Sequence, residues 1–140
     1  MPPSNYRILY IDDDADTREL VSLLLEWANF EVVVAENSEN ALALARIIPF
    51  DLYIIDNWMP GESGIDLCKK LRAFDSSTPV LFYSGAVYDR DKREAFAAGA
   101  QGYLSKPVEN DQLIAEVSRL IAAGRISIAE NPILTSHAAI

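Results

Sequence analysis

The chain has 140 residues, of which 50% are hydrophobic and 24% are charged, and its formal net charge is −9. This length fits one domain whose apolar core needs no disulfide or structural metal. The acidic balance removes the electrostatic attraction to phosphates on which DNA binding depends, so we expect no direct nucleic-acid binding. Cys68 is the single cysteine, which excludes an internal disulfide and a cysteine-based zinc site and fits a reducing compartment.

Nothing in the sequence directs the chain into a membrane. Residues 1–5 lack the basic and apolar regions of a signal peptide. No apolar run approaches the roughly 20 residues that a membrane helix needs. We therefore expect a cytoplasmic protein without a membrane partner.

Short apolar runs alternate along the chain with longer segments of helical periodicity. The runs predict five β-strands, at residues 7–11, 31–35, 51–55, 79–83 and 102–104. The first helical segment carries two adjacent apolar rows, formed by Leu20, Leu24 and Trp27 and by Val21, Leu25 and Ala28. We expect Trp27 to be partly buried.

The later helices have recognisable ends. Pro49 ends the second helix, and Gly99 is the expected C-cap of the fourth. Cys68 lies on the apolar stripe of the third helix and is expected in the core. The fifth helix is expected to end just before Gly124, which gives a domain of residues 1–124 and leaves residues 125–140 as a C-terminal tail or linker stump.

Five strand–helix units in succession predict an α/β fold with a doubly wound, five-stranded parallel sheet covered by helices on both faces. The central runs are continuously apolar, as expected of strands that are buried on both sides. This pattern most often gives the flavodoxin-like strand order 2-1-3-4-5. In that order strands 1, 3, 4 and 5 are neighbours, so residues that follow them meet at one edge of the sheet.

Reactive or charged residues follow these four strands directly. They are Asp12, Asp13 and Asp14 after strand 1, Asp56 after strand 3, Ser84 after strand 4 and Lys106 after strand 5. Carboxylates held close together repel one another unless a cation compensates, and Mg²⁺ prefers oxygen ligands of this kind. A lysine and a hydroxyl suit a phosphate. With no histidine nearby to act as a base, the set favours an ionised aspartate that is itself the nucleophile.

Each of these residues also has a simpler interpretation. Asp13 or Asp14 is able to cap the first helix, and Asp56 and the Ser84–Gly85 pair are common in turns. A single lysine is most often a solvated surface residue. The hypothesis therefore depends on all of the residues falling at the ends of the appropriate strands.

Four segments resemble the receiver domain of bacterial two-component response regulators, and the resemblance covers roughly residues 6–124. The segments are ILYIDDD at residues 8–14, DLYIIDNWMPG at 51–61 with Gly64, PVLFYSG at 79–85 and AGAQGYLSKP at 98–107. One such motif is weak evidence, whereas four in this order and at these intervals are highly specific.

The resemblance implies a role for each acidic residue of the site. Asp56 is expected to accept a phosphoryl group and to contribute a metal ligand. Asp13 is expected to bind Mg²⁺ directly and Asp12 to bind it mainly through water. The backbone carbonyl of Trp58 is expected to be a further ligand.

The resemblance also assigns the groups that respond to phosphorylation. Ser84 is expected to hydrogen-bond the phosphoryl oxygens, and Lys106 to pair first with Asp56 and then with the phosphoryl group. Tyr103 is the expected switch aromatic, which turns inward when Ser84 moves. The Lys106–Pro107 peptide bond is expected to be cis.

The partners that the resemblance implies are proteins. The phosphoryl donor is expected to be a phosphohistidine of a sensor kinase or phosphotransfer protein. Phosphorylation is expected to switch the face formed by the fourth helix, fifth strand and fifth helix, which then binds a downstream partner or supports a homodimer. Residues 125–140 are too few for a DNA-binding unit, so the chain is expected either to act alone or to be part of a longer protein.

Two other functions compete with this one. Haloacid-dehalogenase-type phosphatases also use an aspartate nucleophile and Mg²⁺, but Asp16 stands where their motif has threonine or valine, and no acidic pair follows Lys106. A receiver-like docking module that accepts no phosphate usually lacks the acceptor or an acidic partner, and this chain has all of them. We therefore expect a signalling phosphoacceptor rather than a turnover enzyme.

Overall fold

The computed structural model describes residues 6–85 and 88–130, with side chains described up to Gly124. The strands are β1 (Arg7–Ile11), β2 (Glu31–Ala35), β3 (Leu52–Ile55), β4 (Val80–Ser84) and β5 (Gly102–Ser105). The helices are α1 (Ala15–Trp27), α2 (Ser38–Ile47), α3 (Gly64–Arg72), α4 (Asp89–Ala97) and α5 (Asn110–Glu130). Within the described residues no helix is long and apolar enough to cross a membrane.

The strands form one parallel sheet in the order β2-β1-β3-β4-β5, which confirms the predicted α/β fold. All residues of β3 and β4 are buried, as their continuous apolar runs predicted. At the carboxyl edge, Ile11 is in register with both Ala35 and Ile55. The residues that follow β1 and β3 therefore leave the sheet side by side.

The core has two layers, one on each face of the sheet. Alternate residues of a strand enter different layers, so Leu9 packs with helices α2, α3 and α4 and Ile8 packs with α1 and α5. Tyr10 belongs to the layer of α1 and α5. Cys68, as predicted, is fully buried, and it lies in the opposite layer.

Helix α1 packs mainly through one of its two apolar rows, while Leu24 of the other row is half-buried against the same core layer. Val21 and Leu25 are buried, whereas Leu20 and Trp27 are 70% and 80% exposed. The expectation that Trp27 is partly buried was therefore wrong. Because two rows one residue apart are separated by only about 100° around a helix, periodicity did not distinguish the row that faces the sheet.

Two helix ends differ from their predicted positions. Helix α4 ends at Ala97 with Ala98 as its C-cap, and Gly99 follows with a φ of 115°, a conformation that favours glycine. Gly124 lies inside α5, which continues to Glu130, rather than just past its end. A glycine costs about 1 kcal/mol in a helix, which the alanines before it and the packing of the earlier turns offset. The predicted tail beyond Glu130 lies outside the described residues.

The guanidinium group of Arg72, the last residue of α3, forms hydrogen bonds with the segments that lead into β4 and β5. It donates to the backbone carbonyls of Gly99, Asp75 and Thr78 at 2.7–3.1 Å. It also donates to the Gln101 side chain, whose Oε1 accepts the backbone N–H of Val80 at 2.8 Å. One cation thus holds the end of α3 against the starts of β4 and β5.

We predict that Arg72→Met lowers the free energy of unfolding by about 2–3 kcal/mol, because several half-buried carbonyls lose a charged donor. Urea denaturation followed by circular dichroism measures the loss. Arg119→Met is the matched control, since Arg119 is an exposed partner of Glu116 on α5, and it should change stability by less than about 0.5 kcal/mol. Equal losses for the two variants would contradict this account of Arg72.

Candidate functional site

The carboxylates of Asp12, Asp13 and Asp56 meet at the carboxyl edge of the sheet, where one oxygen from each lies within 4.8 Å of the others. Asp12 is fully buried, Asp56 is 6% exposed, and Asp13 is exposed. The structure thus brings together the three acids that the sequence predicted. This set of hard oxygen ligands, open to solvent on the side of Asp13, suits a small divalent cation such as Mg²⁺.

The turn between β1 and α1 holds the first two acids in place. Asp14 is the N-cap of α1 and accepts the backbone N–H of Thr17 at 2.9 Å, which decides between the capping alternatives in its favour. The backbone N–H of Asp14 in turn donates to Asp12 Oδ1 at 3.0 Å. Arg18 reaches back from α1 and donates to the carbonyl of Asp12 at 2.7 Å. Asp13 is exposed to solvent, and one of its carboxylate oxygens lies within 4.8 Å of those of Asp12 and Asp56.

The turn after β3 positions Asp56 in a similar way. Asp56 Oδ1 accepts the backbone N–H of Trp58 at 3.3 Å, and the Asn57 side chain accepts the backbone N–H of Ile65 at 3.2 Å. A Cβ atom at Gly64 would lie 2.5 Å from the backbone oxygen of Asp56. Glycine at the start of α3 is therefore what lets that helix approach the strand end so closely.

Lys106 lies between the two buried carboxylates but is paired mainly with Asp12. Its Nζ is 2.6 Å from Asp12 Oδ2 and 3.8 Å from Asp56 Oδ2. The ammonium group also lies 5.3 Å from the centre of the Tyr83 ring. Lys106 thus forms the expected ion pair with Asp56, and it also forms a closer ion pair with Asp12 that the sequence did not predict. The peptide bond between Lys106 and Pro107 is cis, as expected.

Tyr10 is a site residue that sequence reasoning missed. Its fully buried side chain donates from the hydroxyl to Asp12 Oδ2 at 2.7 Å. Burial, and then the charge of Asp12, raises the pKa of Tyr10 far above its usual value, so the hydroxyl stays protonated and acts as a donor. The strand period of two contained a signal, since residues two apart point to the same face, but an apolar run conceals a tyrosine.

Burial is also the main influence on the carboxyl of Asp56, whose pKa it raises. The positive charge of Lys106 opposes this rise, and the negative charge of Asp12 adds to it. The Ser84 hydroxyl and the Trp58 N–H favour the ionised form through hydrogen bonds. The carboxyl of Asp56 is therefore held in an environment that favours added positive charge.

Ser84 and Tyr103 lie beside the acidic cluster in positions that connect it to β5. Ser84 is fully buried at the end of β4. The Tyr103 ring stacks on Phe82 with centroids 5.9 Å apart and planes 7° apart, and its hydroxyl hydrogen-bonds with Ser84. Lys92 of α4 lies 6.0 Å from the centre of the same ring. Tyr103 belongs to β5, and its ring contacts α4. A displacement of Ser84 would therefore alter the position of a ring that links the site to α4 and β5.

The comparisons with known proteins agree with this geometry. The family model of the response regulator receiver domain matches residues 8–118. Among curated proteins, the chain is similar to the cell cycle transcriptional regulator CtrA of Caulobacter vibrioides, with 33% identity over 82% of this chain and 50% of that protein. It is also 33% identical to the sensor histidine kinase AruS of Pseudomonas aeruginosa, over 96% of this chain and 14% of the kinase.

Among solved structures, the chemotaxis protein CheY4 of Vibrio cholerae is similar with a TM-score of 0.77 and 32% identity, over 84% of this chain and 99% of that one. The chain spans about half the length of the regulators that it matches. Residues 8–118, which the family model matches, include the strand ends that carry Asp12, Asp56 and Lys106. With the family model covering most of the residues, the chain belongs to the response regulator receiver domains of two-component systems.

Proposed function

We propose that Asp56 accepts a phosphoryl group from a phosphohistidine of a sensor kinase or phosphotransfer protein, in a reaction that depends on Mg²⁺. The observation that carries the proposal is the position of the Asp56 carboxylate, which lies with Asp12 and Asp13 within 4.8 Å and has Lys106 Nζ at 3.8 Å. A nucleophile thus stands among groups that hold and neutralise a phosphate. Receiver domains take phosphoryl groups from histidine kinases, which supports this assignment.

In the proposed transfer an Asp56 carboxylate oxygen attacks phosphorus in line with the leaving imidazole. The new O–P bond forms as the P–N bond breaks, and the electron pair of that bond returns to the imidazole nitrogen. The protein contributes mainly positioning and charge neutralisation. Lys106 offers a positive charge, Ser84 a hydroxyl donor and the Trp58 N–H a backbone donor at Asp56 Oδ1.

The metal would be held by the carboxylates of Asp13 and Asp56, by Asp12 mainly through water and by the Trp58 carbonyl. A bound Mg²⁺ supplies positive charge that offsets the repulsion between the carboxylates and the incoming phosphoryl oxygens. The exposed side of Asp13 provides an entry for the hydrated ion. Because the donors are all oxygens, a hard cation is favoured over zinc.

The phosphorylated protein serves as a signal and does not turn over substrates in this proposal. The connection from Ser84 through Tyr103 to α4 and β5 suits a two-state switch of the α4–β5–α5 face, biased by new contacts with the phosphoryl group. That face would bind a downstream protein, a second copy or an output domain of a longer protein in the cytoplasm. Sustained hydrolysis of phosphate monoesters would instead favour the phosphatase alternative.

Incubation with acetyl phosphate and Mg²⁺ should add one acid-labile phosphoryl group to the protein and none to Asp56→Asn, because the amide is not a nucleophile of this kind. Intact mass spectrometry measures the addition. Asp111→Asn, an exposed aspartate on α5, is the matched control and should gain the group as the wild type does. Equal labelling of Asp56→Asn would show that another residue is the acceptor.

Asp13→Asn should weaken Mg²⁺ binding at least tenfold, since one of two direct carboxylate ligands loses its charge. The same change should raise the stability of the metal-free protein by up to about 1 kcal/mol, because it relieves repulsion within the cluster. Titration of Trp58 fluorescence measures the affinity, and urea denaturation in chelator measures the stability. Unchanged affinity would remove Asp13 from the metal site.

Asp56→Asn should stabilise the metal-free protein at pH 7 by about 1 kcal/mol or more, because it removes a buried charge. Burial raises the pKa of Asp56 in the folded state above its unfolded value, which is near 4. Protonated Asp56 therefore favours the folded state. This contribution to stability is present in full below the unfolded pKa and is lost as the pH rises through the folded pKa. The advantage of the variant should therefore shrink as the pH falls through that window. A gain that is constant between pH 4 and pH 8 would contradict the linkage.

A further inference from the structure

The Tyr10 hydroxyl and the Lys106 ammonium donate to the same carboxylate oxygen. Tyr10 Oη lies 2.7 Å from Asp12 Oδ2, and Lys106 Nζ lies 2.6 Å from it. The other oxygen, Oδ1, accepts the backbone N–H of Asp14 at 3.0 Å. The Asp12 side chain is 1% exposed, and among the described residues Tyr10 and Lys106 are its side-chain donors at Oδ2.

This sharing matters because the proposed reaction gives Lys106 a second partner. A phosphoryl group on Asp56 attracts Lys106, whose Nζ is already 3.8 Å from Asp56 Oδ2. To reach the phosphoryl oxygens, the ammonium group has to lengthen or break its bond to Asp12 Oδ2. A buried carboxylate oxygen that loses all of its donors carries a large desolvation penalty, and that penalty would oppose the movement of Lys106.

We propose that Tyr10 is a positioning residue that keeps Asp12 Oδ2 hydrogen-bonded while Lys106 moves from Asp12 to the phosphoryl group on Asp56. The inference rests on the proposed function of Asp56. Tyr10 is suited to the role because it is fully buried in the layer of α1 and α5 and has its hydroxyl fixed against Asp12. It is neutral, so it adds no charge that would compete with the phosphoryl group for Lys106.

The chain contains a matched control for this bond. The Tyr53 hydroxyl donates to Asp75 Oδ2 at 2.7 Å, and Tyr53 is 1% exposed. Tyr53 lies in register with Val80 near the starts of their strands, at the end of the sheet opposite to Asp56. Tyr53→Phe therefore removes a tyrosine–carboxylate hydrogen bond of the same length without altering the site.

The first experiment compares phosphate uptake, that is, the rate at which acetyl phosphate phosphorylates the protein, for the wild type, Tyr10→Phe and Tyr53→Phe. Tyr10→Phe should slow uptake about tenfold, a factor equivalent to about 1.4 kcal/mol, because Lys106 becomes the remaining side-chain donor to Asp12 Oδ2 and leaves it less readily. Tyr53→Phe should take up phosphate at the wild-type rate. A general loss of stability would instead slow both variants.

The second experiment needs no phosphorylation. Urea denaturation of Tyr10→Phe, Lys106→Met and the double variant tests whether the two donors substitute for each other. Each single variant leaves Oδ2 with one donor and the double variant leaves none, so the double variant should lose more stability than the two singles together. Lys106→Met combined with Tyr53→Phe should be additive. Failure of the Tyr10→Phe, Lys106→Met protein to fold, when both singles fold, counts as the same coupling.

A third measurement uses the wild type alone, in case Tyr10→Phe does not fold. The Tyr10 hydroxyl proton should remain slowly exchanging by NMR after phosphorylation, since the bond to Asp12 persists. Rapid exchange in the phosphorylated protein, uptake by Tyr10→Phe equal to that by Tyr53→Phe, or additive stability losses would each overturn the role of Tyr10. Absence of uptake by the wild type would overturn the proposed function instead, while the denaturation experiment would still report on Tyr10 and Lys106.

Discussion

The mutual repulsion of three carboxylates is the constraint on which the site depends. Asp12, Asp13 and Asp56 bring one oxygen each within 4.8 Å, and two of these residues are buried. Among the described residues, the donors that compensate the charge of this group come from neighbouring parts of the same sheet. Lys106 reaches it from the end of β5, and Tyr10 reaches it from within β1. The strand order is thus a requirement of the electrostatics as well as of the packing.

Much of this arrangement followed from the sequence, for a physical reason. Parallel strands buried on both faces appear as continuous apolar runs, and side chains after such runs must emerge at the carboxyl edge. Together with the expected strand order, that rule predicts that Asp12, Asp13, Asp56 and Lys106 lie close together. The capping role of Asp14 was one of two open alternatives, and local hydrogen bonding to Thr17 decided it.

Other features depend on differences too small for sequence patterns to resolve. Lys106 Nζ lies closer to Asp12 than to Asp56 by little more than 1 Å, a difference too small for a sequence pattern to predict. The period of two places Tyr10 and Asp12 on the same face of the chain, but it does not show whether their side chains are close enough to hydrogen-bond. Gly64 is part of a motif, but its steric reason, the close approach of α3 to the backbone oxygen of Asp56, depends on the position of that helix in the fold. The orientation of helix α1 about its own axis, with Val21 facing the sheet and Trp27 facing solvent, is another such feature.

The orientation of α1 has a consequence for the behaviour of the protein in solution. Leu20, Leu23 and Trp27 are 70%, 59% and 80% exposed along one side of the helix, and their contact with water is unfavourable. Copies of the chain carry a net charge of −9 each, and this charge keeps them apart at low ionic strength. Salt shortens the range of that repulsion to about 8 Å at 0.15 M, whereas it leaves apolar attraction intact. The colloidal solubility of the protein should therefore decrease as ionic strength rises.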